Sequence, residues 1–287
     1  MLKRPKLYFI SFADSRMSAA TDRIREQARH MNVFDDIYVF NEDSLDDSFR
    51  QQWEGVMKFG SRGYGYWCWK PYIILKLLET LPEDSVLLYC DAGSHLNPKG
   101  RRRLLYYVDS VMESQLGVKA FDAFYSQFDV IERRWTKGDV FEYFKCRERK
   151  DVTDSRQIAT GQIFIRKCKT SMLFLQEWNS VWYEKFSLID DSPSVSPNFS
   201  DFVENRHDQS IFSVLYKLAS EAPLPSGETD VVDYSNMDEY PIWNLRDKGY
   251  KDTRFIARVR RWIKAQRIVF KIRYLRIREK ILGLLGR

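Results

Sequence analysis

Leu87-Leu88-Tyr89-Cys90-Asp91-Ala92-Gly93 is the stretch on which the reading of the fold turns. With Ser85 and Val86 before it, Leu87 to Cys90 forms a continuous apolar run. That is the pattern of a strand buried on both faces, as in the middle of a parallel sheet. An acid directly after such a strand stands where open α/β sheets bind ligands, outside the strands' carboxyl ends. Gly93 would let the backbone turn, or approach a ligand closely. Asp and Gly are also ordinary turn residues, so the segment taken alone suits a plain turn equally well.

Upstream of the run, residues 71–81 predict a helix, with Pro71 in its first turn and Ile73, Ile74, Leu77 and Leu78 on one face. The chain opens on a β-rich segment, residues 7–12. A helix is predicted over 18–31, with Ile24, Ala28 and Met31 aligned, and then a short strand over 36–40. A β-α-β opening favours a right-handed crossover and a parallel sheet. Further strands are expected at 121–125 and 162–165, helices at 171–186 and 209–219, and a polar loop over 187–205. The expected fold is α/β: a Rossmann-type domain over residues 1–250 with one mostly parallel central sheet.

The 287 residues carry 46 Lys+Arg against 40 Asp+Glu, a net charge of +6 that conceals a division. Residues 254–287 hold twelve bases and one acid (Glu279), a net of +11, which leaves the rest at −5. At 44% hydrophobic and 30% charged the chain is globular rather than disordered. No run approaches the ~20 apolar residues of a membrane span, and the six after Lys6 are too few for a secretory leader. Four scattered cysteines (Cys68, Cys90, Cys146, Cys168) make a disulfide framework unexpected and suit a reducing cytoplasm.

Two further segments carry chemistry-bearing residues. Arg62-Gly63-Tyr64-Gly65-Tyr66-Trp67-Cys68-Trp69-Lys70-Pro71 places flexible glycines, aromatics and cations before a helix. Such a segment can hold an anion at the helix N-terminus, although its aromatics equally suit packing. Lys70 opposes the helix dipole there and needs a compensating anion, a role a diphosphate would fill. Arg206-His207-Asp208-Gln209-Ser210 opens another helix. His207 suits a ligand or proton carrier and Asp208 a base, while an Asp cap followed by the core face Ile211, Phe212 and Leu215 explains the same residues. Structural-zinc spacing, G-x-S-x-G and a Walker loop are all lacking.

Taken in order, the blocks at residues 65–72, 87–93, 159–165 (Ala159-Thr160-Gly161-Gln162-Ile163-Phe164-Ile165) and 207–210 resemble the bacterial GT-A-fold glycosyltransferases of capsule, O-antigen and lipooligosaccharide biosynthesis. The resemblance spans roughly residues 5–220. It implies a nucleotide-sugar enzyme in which Phe12, Asp14, Arg23, Trp69, Lys70, Asp91 and Gly93 meet the donor. Thr160, Gly161, His207 and Gln209 would lie near sugar and acceptor, and Asp208 would deprotonate the acceptor, with Asp129 and Glu132 in reserve. Asp91 matches the first acid of the family's D-x-D motif, which implies a Mn2+ or Mg2+ ion. The second acid is Gly93 here, so either His95 or His207 would serve as co-ligand, or Lys and Arg side chains would carry the diphosphate without metal.

The basic tail, 251–287, places twelve of its sixteen large apolar residues between Phe255 and Leu285 in an arc of about 160°, with most bases outside it. Such an amphipathic helical segment suits an anionic membrane surface. Packing on the body and nucleic-acid binding are the rival readings of it. The expected protein is a cytoplasmic hexosyltransferase, peripheral on the inner face of the cell membrane. It would move a sugar from a UDP-sugar to a surface-glycan or lipid-linked acceptor. A non-catalytic membrane- or nucleic-acid-binding protein and a nucleotide-sugar hydrolase are the alternatives.

Overall fold

The computed structural model describes residues 4–125, 128–225, 227–229 and 238–249, together with Ile263, Phe270, Tyr274 and Ile277. The strands among the described residues are β1 (Leu7–Phe12), β2 (Asp36–Phe40), β3 (Val86–Cys90), β4 (His95–Leu96), β5 (Val118–Asp122), β6 (Phe124–Tyr125), β7 (Phe128–Asp129), β8 (Ile158–Arg166) and β9 (Ile242–Trp243). The helices are α1 (Ser18–Met31), α2 (Asp47–Gln52), α3 (Gly63–Tyr66), α4 (Trp69–Thr80), α5 (Arg101–Glu113), α6 (Glu132–Trp135), α7 (Gly138–Tyr143), α8 (Lys150–Thr153), α9 (Lys169–Glu184) and α10 (Asp208–Leu218).

Five strands form the central sheet in the order β2-β1-β3-β8-β5. Both neighbours of β1 run parallel to it, while β8 is antiparallel to β3 and to β5, so four of the five strands share one direction. The expected mixed α/β architecture with a mostly parallel sheet is therefore present. The strand expected at 162–165 is longer than its apolar core, and apolar residues say nothing of direction. Its start adds Ile158, which is itself a core residue, and then Ala159, Thr160 and Gly161, whose small or polar side chains break the apolar run.

Strand side chains alternate between two cores, as the pleat requires. Tyr8, Ile10, Leu87, Tyr89, Ile163 and Ile165 pack with α4, α9 and α10 on one face. Leu7, Phe9, Val86, Leu88 and Phe164 pack with α1 and α5 on the other. β3 is buried along its whole length, because helices cover both faces of the sheet.

The loop over 187–205 is polar as expected but pinned, with the Val195 and Ser196 N–H groups both donating to the Asp139 carboxylate. All four cysteines are free thiols. Among the described residues no helix is long and apolar enough to cross a membrane. Most of the basic tail lies outside the described residues. Its four described members are helical and exposed, at 42% (Ile263), 73% (Phe270), 60% (Tyr274) and 58% (Ile277), and all belong to the apolar arc.

Candidate functional site

The chain passes from β1 outward to β2 and returns on the far side of β1 as β3, so the topological switch point falls between β1 and β3. In such sheets the crevice outside the strands' carboxyl ends at this point is the usual ligand site. Asp14 follows β1 there and Asp91 follows β3. Antiparallel β8 brings its beginning to the same edge, where the Asp91 N–H donates to the Gly161 carbonyl at 2.8 Å. α10 adds Asp208 from below.

Lys70 is the centre of this arrangement, 1% exposed despite its charge. Its Nζ donates to Asp208 Oδ2 at 2.7 Å and to the Thr160 carbonyl at 3.3 Å, and lies 3.4 Å from Asp91 Oδ1. Thr160 Oγ1 donates to the same Asp208 oxygen at 2.9 Å. The Tyr89 hydroxyl donates to Asp91 Oδ1 at 2.7 Å, and the Tyr89 ring lies under the ammonium at 5.2 Å. Burial opposes the charge on Lys70, but Asp208 and Asp91 outweigh it and hold the ammonium's pKa above its ordinary value. The Asp208 side chain is 5% exposed and that of Asp91 38%. One carboxylate is thus locked underneath while the other opens to solvent above it. The compensating anion that Lys70 requires is this pair of carboxylates, so its charge is committed within the protein rather than presented to a diphosphate.

The segment before α4 takes an unusual path. Gly63, Tyr64, Gly65, Tyr66 and Trp67 all have positive φ, at 59°, 49°, 90°, 55° and 60°, one turn of left-handed backbone. Each of the three non-glycine residues costs roughly 1–2 kcal/mol in that conformation. Packing on both sides holds them. Trp67 stacks on His207 at 5.6 Å, Trp69 Nε1 donates to the Gly63 carbonyl, and Trp182 Nε1 donates to the Cys68 carbonyl. His207 itself sits at φ 57° and ψ −122°. Strain held by surrounding structure at a ligand edge is a recurring property of functional sites.

Several predicted site residues have other occupations. Phe12 and Trp69 are buried and stacked on each other at 4.1 Å, so neither offers a ring face to a base. Asp14 is buried, paired with Arg16, and caps the short turn before α1. Arg23 donates to the Ala92 and Asp247 carbonyls and pairs with the Asp247 carboxylate at 3.1 Å. It braces the turn after β3 instead of reaching into the crevice. Gln209 donates from Nε2 to Gln157 Oε1 at 2.6 Å. His207 donates from Nδ1 to the Ile189 carbonyl, and its burial lowers the imidazole's pKa despite that bond. Asp208 precedes the rest of α10 as its first residue, with its carboxylate on Lys70 rather than capping the helix. Of the reserve acids, Glu132 is sealed in the core on Thr136, Ser213 and Lys217. Asp129 is exposed beside Arg156.

Gly93 and Gly161 are points of close approach. A Cβ at 161 would stand 3.3 Å from Asp91 Oδ2, and one at 93 would stand 3.1 Å from the Arg246 Cα. Residues 240–249 run over the turn at 91–93: β9 pairs with β4, the Asp247 N–H donates to the Gly93 carbonyl at 2.9 Å, and Gly249 abuts Ala19 and Ala20. This strap is the part of the site missed in the sequence. Arg246, Asp247 and Lys248 lie more than 150 residues from the turn they cover, in no recognisable motif.

The donor set does not fit the expected Mn2+ or Mg2+ ion. A hard divalent cation takes several oxygen ligands and, in a protein site, usually more than one carboxylate. Asp91 is a single carboxylate already bound by Tyr89 and Lys70. His95 carries Gln27 on one ring nitrogen and Asp247 on the other, and His207 is held by Ile189 and Trp67. Among the described residues no three His, Cys, Asp or Glu side chains come together as a metal group.

No protein-family model matches the sequence, and no curated protein matches it. Among solved structures the chain is similar to a glycosyltransferase involved in the glycosylation of the major capsid of PBCV-1, at 11% identity and a TM-score of 0.49, covering 88% of this chain and 97% of that one. It is similar to mouse xyloside xylosyltransferase 1 at 10% identity and a TM-score of 0.45, with 84% and 97% covered. A third is the galactosyltransferase LgtC in complex with donor and acceptor sugar analogues, at 12% identity and a TM-score of 0.38, with 73% and 70% covered.

Proposed function

We propose that the protein is a glycosyltransferase that moves a hexosyl unit from a nucleotide-sugar, a UDP-hexose first, to a hydroxyl of a surface-polysaccharide or lipid-linked glycan. The observation that carries this reading is the half-exposed Asp91 carboxylate at the switch-point end of β3, held from below by the buried Lys70–Asp208 pair. In the transfer, the acceptor oxygen bonds to the anomeric carbon while the bond from that carbon to the diphosphate oxygen breaks. The bonding pair leaves with the nucleoside diphosphate, and the acceptor loses its proton to a base or to the departing phosphate oxygen. Asp91 is the exposed acceptor of hydrogen bonds from the donor's hydroxyls. Asp208 takes a positioning part in place of the general-base role, since it faces Lys70 and Thr160 and is shut off from an incoming hydroxyl.

A melting-temperature panel of nucleosides, nucleotides and nucleotide-sugars tests this, because a ligand that binds only the native state stabilises it by mass action, by about 2.7 kcal/mol at a hundredfold excess over Kd. Nucleotide-sugars are expected to raise Tm and free sugars to have no effect. If no nucleotide-sugar raises Tm, the reading fails. Release of free sugar at full rate without any acceptor would favour the hydrolase instead.

The tail belongs to the same proposal as a membrane-surface anchor at the inner face of the cell membrane. Its described Ile263, Phe270, Tyr274 and Ile277 are helical and exposed, and all four belong to the apolar arc of a segment of net +11. The full chain is expected to pellet with anionic vesicles, to ignore zwitterionic ones and to be released by salt. Retention on DNA with no preference for anionic vesicles would overturn the anchor.

A further inference from the structure

The turn that holds Asp91 is crossed by a strap whose charges bear on how a diphosphate would be held there. A Cβ at residue 93 would stand 3.1 Å from the Arg246 Cα and 3.3 Å from its carbonyl carbon, so the first atom of a second acidic side chain would press on the strap, which would have to give by a few tenths of an ångström. The place from which a D-x-D motif would project its second carboxylate is closely lined by backbone. That backbone carries cations. Arg246 and Lys248 are both exposed and flank Asp247, whose N–H is fixed to the Gly93 carbonyl. The Asp247 carboxylate is turned to Arg23 at 3.1 Å and His95 at 2.9 Å, so it opposes the two cations less than a free acid would. Arg246 is also held at φ 52°, a conformation a side-chain-bearing residue keeps only where its surroundings impose it. Lys70, which also lies near Asp91, is sealed between two carboxylates.

We propose that Arg246 and Lys248 neutralise the diphosphate of the nucleotide-sugar in place of a divalent cation, so that donor binding is independent of metal. The inference rests on the glycosyltransferase reading of this site. An exposed Arg and an exposed Lys two residues apart on the strap can provide charge-assisted hydrogen bonds to phosphate oxygens, the Arg as a planar fork and the Lys as a point charge. The single open carboxylate, Asp91, is then left to accept from hydroxyl groups of the donor and not to ligate an ion.

The test is titration calorimetry of the full chain with the nucleoside diphosphate-sugar that raises its Tm most, in EDTA and then in Mn2+ or Mg2+. The expected Kd is the same in all three conditions within about threefold. Lys248→Ala and Arg246→Ala should each weaken that ligand about tenfold or more in EDTA, the size of one charge-assisted contact. The matching nucleoside without phosphate should bind the variants and the wild type equally. Both side chains are exposed, so Lys248→Ala should melt like the wild type without ligand. Lys248→Ala also keeps the test decisive if Arg246→Ala disturbs the strap. Binding tightened more than tenfold by either metal, or unchanged in both variants, overturns the inference and leaves the nucleotide-sugar reading standing. No binding of any nucleotide-sugar with or without metal removes the reading itself and this inference with it.

Discussion

Lys70→Met is expected to destabilise the protein by about 3–5 kcal/mol, the cost of leaving a buried charge without its partner. Methionine fills much of the lysine stem's volume, so the loss reports charge rather than cavity. Asp208, with 5% of its side chain exposed, would keep the Thr160 hydroxyl as a donor but no compensating charge from Lys70, and Asp91 would lose the cation that holds it over the edge of β3. Equilibrium denaturation measures the change. In the double variant Lys70→Met/Asp208→Asn the buried charge is removed with its partner, so its loss should fall short of the sum of the two single losses. A single-variant loss under about 1 kcal/mol would mean that the ion pair does not anchor the site.

Asp91→Asn is the complementary experiment, expected to cost transfer rather than stability. The side chain is 38% exposed, and an amide of the same shape can still accept from the Tyr89 hydroxyl. Its effect on stability should therefore be that of one weakened hydrogen bond, about 1 kcal/mol. Turnover should fall by about 10²–10³, the usual consequence of removing one preorganised electrostatic partner from a site where charge moves. Transfer kinetics and a melting curve on the same preparation separate the two effects. Near-wild-type transfer by a folded Asp91→Asn protein would take Asp91 out of the mechanism. The two variants thus assign the parts: Lys70 and Asp208 hold the site, and Asp91 works in it.

The elements that carry the sheet were legible because their periodicity is strong. The helices predicted over 18–31, 71–81, 171–186 and 209–219 are α1, α4, α9 and α10 within a few residues at each end. β3 declares itself by an unbroken apolar run, which only burial on both faces explains. The site was legible in part. Asp91, Thr160, Gly161 and Asp208 do converge with Lys70, whereas Phe12, Trp69, Asp14 and Arg23 are at the right edge of the sheet but committed to packing or internal pairing. An aromatic or a charge reads the same in a sequence whether its partner is a ligand or another side chain, because residue type states capacity and not occupation.

The local pattern along the chain was enough to establish the α/β class, the β-α-β opening, the strand ending in an acid and the division between a −5 body and a +11 tail. These follow from short-range spacing and composition, which act within a turn or two of backbone. The direction of β8, the left-handed turn at 63–67, the burial of Lys70 between Asp91 and Asp208, and the strap that fills the space beside Gly93 were settled only by the folded chain. Each depends on groups tens to more than a hundred residues apart being brought within 4 Å. At that range hydrogen bonds, ion pairs and steric exclusion decide between alternatives that spacing along the chain leaves equal. That is why Gly93, legible at first as a flexible turn residue, proves to be the position where no larger side chain fits without moving the strap.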